Sequence, residues 1–242
     1  MNKIIKVGFA AIAFAAVTPA FAEAEEVEAE ETASEYEAIG WTPIAIGIAS
    51  PVQLPWGRAV WDVFGLDLNV IYSDAPKMYG LGIGGIAMAT RDDLIGLQLS
   101  ALCNWATKDV YGARVTVGGN IGFGTVYGFE AGLFGYRPEI WGWDTEFLGS
   151  YQDNMWGLQI GGICNLSMVQ SYGASIAIGG NFAKTAYGLQ LGAVFNFTDE
   201  LHGCQVGLVN FARECPWGFQ IGLVNIIMDN KIKVLPLVNG YF

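Results

Sequence analysis

An aromatic or apolar residue followed by glycine recurs at Phe64-Gly65, Tyr79-Gly80, Ile95-Gly96, Tyr111-Gly112, Tyr127-Gly128 and Trp141-Gly142. The series continues through Trp156-Gly157, Tyr172-Gly173, Tyr187-Gly188, His202-Gly203 and Trp217-Gly218. Successive glycines stand 14 to 16 residues apart without a gap. A period this regular means that one small unit is laid beside the next, each too short to bury its own surface.

Inside the unit the pattern alternates. After Gly188, Leu189, Leu191, Ala193, Phe195 and Phe197 share one parity, and Gln190, Gly192, Val194 and Asn196 the other. After Gly173, Ala174, Ile176, Ile178 and Phe182 oppose Ser175, Ala177, Gly179 and Asn181. Period two means strand, with one aliphatic and aromatic face and one small or polar face. Turn-formers separate the runs, as in "SDAPK" (73–77), "TRDD" (90–93), "TKD" (107–109), "RPE" (137–139), "YQDN" (151–154) and "MDNK" (228–231). Each unit reads as about ten residues of strand plus a short turn, the length a tilted strand needs to cross a bilayer.

Two all-β architectures fit this pattern. A β-solenoid would stack the units in one direction and turn glycines and glutamines into ladders. It would have to break each alternating run in the middle, because a ten-residue strand cannot return parallel over a five-residue connection. Antiparallel hairpins need only the short turn. The expectation is therefore a transmembrane up-and-down β-barrel of about twelve strands, or fourteen if residues 41–61 add a hairpin, with the solenoid as the alternative.

In such a barrel the residues before the glycines point outward and alternate between two rims. Tyr79, Tyr111, Trp141, Tyr172 and His202 fall at one, and Phe64, Ile95, Tyr127, Trp156, Tyr187 and Trp217 at the other. They would form two lipid-interface girdles. The inward residues two places after each glycine become candidate lumen-lining groups. Asp67, Gln98, Glu130, Gln159, Gln190 and Gln220 ring one end, and Arg114, Asp144, Ser175 and Gln205 lie toward the other. They serve either a polar pore or a hydrogen-bonded filling.

The ends set the compartment. Lys3 and Lys6, the apolar run Val7 to Val17 and Ala20-Phe21-Ala22 form a secretory signal peptide over residues 1–22. Residues 23–40 follow as an acidic, solvated tail, with eight glutamates and no basic residue between Glu23 and Ala38. The chain carries a net charge of −11 and offers no basic face to nucleic acid. Phe242, ending the last strand, resembles the signal read by the bacterial barrel-assembly machinery. That implies this partner, outer-membrane lipids and an outer-membrane location. Pro236 within that strand requires a bulge or an unpaired position. Cys103, Cys164, Cys204 and Cys215 match no zinc spacing, and the first three fill slots held elsewhere by small or apolar residues.

The repeat phrase G-L-Q-x-G-x-x-N, the entry "PVQLPWG…VFGLDLNVIY" and the exit "VLPLVN" resemble an exported bacterial surface-repeat protein family. The resemblance covers roughly residues 41–242 and implies export and a surface location without supplying catalytic residues. Units such as "YGARVTVGGN" (111–120) depart from the phrase.

No catalytic set emerges. The single histidine, His202, fills a rim-aromatic slot. "GLGIGG" (80–85) matches a dinucleotide fingerprint in letters but lies within a repeat strand. No cofactor and no metal are expected. The function expected is structural or surface-associated and non-catalytic. The alternatives are a narrow passive channel for small polar solutes and an exported β-solenoid adhesin.

Overall fold

The computed structural model describes residues 38–50, 52–56 and 61–241. The signal peptide, nearly all of the acidic tail and Phe242 lie outside them. The described chain is all-β, and its repeating strands pair in parallel, as a β-solenoid of about ten turns. The expected antiparallel barrel is overturned.

Each turn of the solenoid has a long side and a short side. In one coil the long side is β4 (Met78–Gly84), the short side β5 (Ala87–Thr90), and a two-residue corner, Gly85-Ile86, joins them. Turn residues 91–93 then lead into β6 (Leu94–Ser100) of the next coil. Long sides stack on long sides, Gly65 opposite Gly80, then Gly96, Gly112 and Gly128. Short sides stack likewise, Ala87 opposite Cys103 and Cys103 opposite Gly119. In the C-terminal half the turns are smoother, and single strands such as β11 (Cys164–Ala177) and β12 (Gly180–Gly192) run through both sides.

The corner explains the failure of the barrel argument. It breaks the alternating run in the middle, as a solenoid requires, yet consumes two residues and so leaves the inward parity unchanged. Gly84 and Met88 both face inward across it.

The glycine column requires glycine. All eleven repeat glycines have φ between +115° and +149°, a region that L side chains avoid. A Cβ on Gly173 would overlap the carbonyl oxygen of Gly157, and one on Gly188 that of Gly173.

Both ends of the stack are closed by reversed strands. At the start, β1 (Gly40–Ala49) lies parallel to β3 (Trp61–Ala75), and β2 (Val52–Leu54) runs antiparallel along β1. The described part of the segment that could have added a barrel hairpin, β1 and β2, thus contributes a cap. At the other end, β15 (Val234–Gly240) runs antiparallel along β14 (Val209–Ile227). Its register shifts between Gly222 and Asn225, and Pro236 falls in that irregularity between the paired Leu235 and Leu237. The missing proline N–H therefore interrupts no ladder.

The interior is layered. Apolar side chains gather mainly beside the turn edge, as with Met78, Leu94, Val110, Val126, Ile140 and Met155. Polar ladders fill the remainder. Gln220 donates to Gln205 and Gln205 to Gln190, each at 2.8 Å. Nearer the corners, Asn165 donates to Asn181, Asn181 to Asn196, Asn196 to Asn210 and Asn210 to Asn225, amide to amide at 2.8–2.9 Å.

Candidate functional site

The residues expected to line a lumen are buried in this interior. Asp67, Gln98, Arg114, Glu130, Asp144, Gln159, Gln190, Gln205 and Gln220 are each at most 2% exposed. With no barrel there is no lumen. Their two expected rings collapse into one column, because parallel in-register coils put equivalent positions side by side. Asp67 accepts hydrogen bonds from Asn69 (2.5 Å) and Ser73, while burial pushes its carboxyl pKa up.

The column carries charge at its centre. Arg114 and Arg137 meet Glu130, Asp144 and Glu146, all at most 1% exposed. Arg114 pairs with Glu130 and donates to the Ile121 carbonyl at 2.8 Å. Arg137 pairs with Glu130, with Asp144 at 3.0 Å and with Glu146 at 3.4 Å. Gly135 makes the room, since a Cβ there would strike the Arg137 guanidinium. The three carboxylates lie within 4.8 Å of one another, a spacing that fits a cation. Two guanidiniums already supply that positive charge. Three carboxyls against two guanidiniums favour one retained proton. Burial pushes Glu146 up to about 8 against the pull of Arg137, and burial also raises Asp144. A sealed cluster of this kind staples coils together and has no opening to a substrate.

The expected girdle residues form a single exterior column. Parallel coils place Tyr79, Tyr111, Tyr127, Trp141, Trp156, Tyr172, Tyr187 and Trp217 on one line beside the turn edge, so the two-rim arrangement is overturned. Rings stack face to face from Trp141 through Trp156, Tyr172 and Tyr187 to His202, with centroids 3.9–4.5 Å apart. Tyr111 stacks on Tyr127 at 4.9 Å. His202 takes its place in this stack and contacts Glu200 at 2.8 Å, a structural use of the ring. A second column on the short sides stacks Phe182, Phe197 and Phe211 at 4.7–4.9 Å.

The feature that the repeat phrase did not announce is the corner edge. From coil to coil it presents Val70, Ile86, Leu102, Val117, Leu133 and Phe147, then Ile163, Ile178, Val194, Leu208 and Leu223, every one exposed. Val117 reaches 78% exposure and Ile178 71%. No corner holds an ionisable residue. An open groove of about 910 Å³ runs along this side, lined by Val117, Leu133, Phe147, Ile160, Ile178 and Leu191 among others.

The opposite edge holds the charge. Among the described residues, every charged side chain that reaches solvent lies on the turn edge or flanks it. There Lys108 pairs with Asp92 at 2.7 Å, Lys77 with Asp92 at 3.5 Å and Arg213 with Asp199 at 3.0 Å. Cys103, Cys164 and Cys204 sit outward among apolar neighbours, Cys215 is buried, and all four are free. "GLGIGG" spans β4 and the first corner residue with no helix after it.

No protein-family model, curated protein or solved structure matches this chain.

Proposed function

We propose that this chain is a non-catalytic, exported β-solenoid adhesin that attaches through its corner edge at the bacterial outer membrane or cell surface. The observation that carries the reading is the segregation of surface chemistry: an uninterrupted apolar edge on one side and, among the described residues, all solvent-reaching charge on the other. A contiguous apolar surface of this extent marks an attachment site. The export pattern of residues 1–22 and the likeness of the repeat phrase to surface-repeat proteins support the location. A channel has no support, because the interior is filled by side chains bonded to one another. Recognition of Phe242 by barrel-assembly machinery loses its ground with the barrel.

The test is retention under flow of bacterial cells that display the full chain, compared with cells that lack it. Displaying cells are expected to be retained several-fold better on an apolar surface. The double substitution Val117→Lys with Ile178→Lys should abolish the difference. Equal retention of displaying and non-displaying cells overturns the reading.

A further inference from the structure

We infer that the occupant of the corner edge is the hydrocarbon of a lipid leaflet, into which the solenoid beds edge-on. The inference rests on the reading of that edge as the attachment surface, and it names the partner by chemistry.

Three observations point to lipid over a protein groove. The first is the charge distribution, which complements a bilayer. The corners carry no charge, and among the described residues the charged side chains that reach solvent, of both signs, are confined to the far edge. The second is the order of chemistry along each long side. From Ala193 the chain runs back through Leu191 and Leu189 to Tyr187, which is aliphatic at the tip and aromatic before the turn that holds Lys184. Those six steps span about 20 Å at roughly 3.3 Å per residue. One leaflet's hydrocarbon is about 15 Å deep. The stacked rings then sit at the head groups, where tyrosine and tryptophan are favoured.

The third observation concerns the backbone. Hydrocarbon tolerates a bend only when its peptide groups find partners within the protein. Here the corners bond coil to coil, with Ile163 N–H to Phe147 O at 3.1 Å and Gly179 N–H to Ile163 O at 2.9 Å. The asparagine ladder satisfies adjoining carbonyls from inside, Asn165 donating to Ile176 O at 2.9 Å and Asn196 to Val206 O at 2.8 Å. The inner asparagines thereby prepare the edge for an environment without water. A protein partner, which supplies donors and acceptors of its own, would not require this. The two capping strands β2 and β15 also close the stack ends, leaving the side as the surface open to a large partner.

The experiment is flotation of the purified full chain with vesicles of uncharged phosphatidylcholine, and with vesicles containing anionic phosphatidylglycerol. The expected result is co-flotation with both, undiminished in high salt, with a blue shift of tryptophan emission from Trp141, Trp156 and Trp217. Val117→Lys with Ile178→Lys should lower partitioning at least tenfold. The milder Val117→Ser with Ile178→Ser should give an intermediate loss, and Lys184→Glu on the charged edge no loss. Circular dichroism confirms that each variant keeps its strands. Absence of flotation, or equal flotation of the corner variants, overturns the inference. So does a stable dimer without lipid that the corner variants dissociate, which would assign the edge to a second copy. Flow retention that persists without vesicle binding leaves the adhesin reading standing and removes the lipid. Vesicle binding without retention does the reverse.

Discussion

A single residue type sets the spacing of this molecule. At Gly173, φ is +119° and the space a Cβ would fill holds the Gly157 carbonyl. The obstacle is main chain, so no rotamer change relieves it. Gly173→Ala is expected to lower the stability of the chain by about 1–3 kcal/mol from backbone strain alone. Denaturant titration followed by circular dichroism measures this, and a change under about 0.5 kcal/mol, the range of ordinary surface substitutions, would contradict the forced column. At this scale the sequence was legible, since the glycine period, the outward aromatics and the inward glutamines can all be read from parity. What parity could not show was Arg137. It stands beside Pro138 in a segment that reads as a turn, yet the chain carries it inward to three carboxylates.

Among the elements, the corner decided the architecture and was the hardest to see. Because it consumes two residues, alternation passes through it unbroken, and a bent coil imitates a straight ten-residue strand. The clue was Val194, an aliphatic residue in the otherwise small and polar series Gln190, Gly192, Asn196. In the structure Val194 is half exposed at the corner, so its misfit of polarity marked the bend. The same corner carries the attachment surface, which is why the barrel expectation placed the apolar surface on whole strand faces and overlooked the edge.

The charged coils around Glu146 give an element-scale prediction. Its carboxyl sits at about 8 in the folded chain against an ordinary 4.5. A carboxyl raised by folding favours the fold while protonated, so its contribution is complete below about pH 4.5 and is lost as pH rises through about 8. Asp144 is raised as well and acts in the same direction. The denaturation midpoint should therefore fall between those limits. Glu146→Gln, which keeps the shape and removes the titration, should flatten the fall. An identical slope in the variant would remove Glu146 as its source.

Across the whole molecule, neighbouring coils interact and distant ones do not, so stability is close to a sum over units and their interfaces. Removing residues 173–187 joins Tyr172 to Gly188, which follows the equivalent Tyr187 in the register of β11 and β12. The shortened chain is expected to keep its strand signal per residue and its cooperative melt. Removing only residues 173–180 leaves half a coil and should unfold the C-terminal part, seen as lost circular dichroism and protease cleavage there. Equal tolerance of both deletions would contradict in-register stacking.

The stacking also has a temporal side. Along the repeats a strand meets its partner one coil back, as Tyr187 meets Tyr172 and His202 meets Tyr187. No ring closure between the first and last strands is awaited. A chain threaded N-terminus first through a narrow opening can therefore lay each new coil on the one already emerged, with assembly keeping pace with delivery.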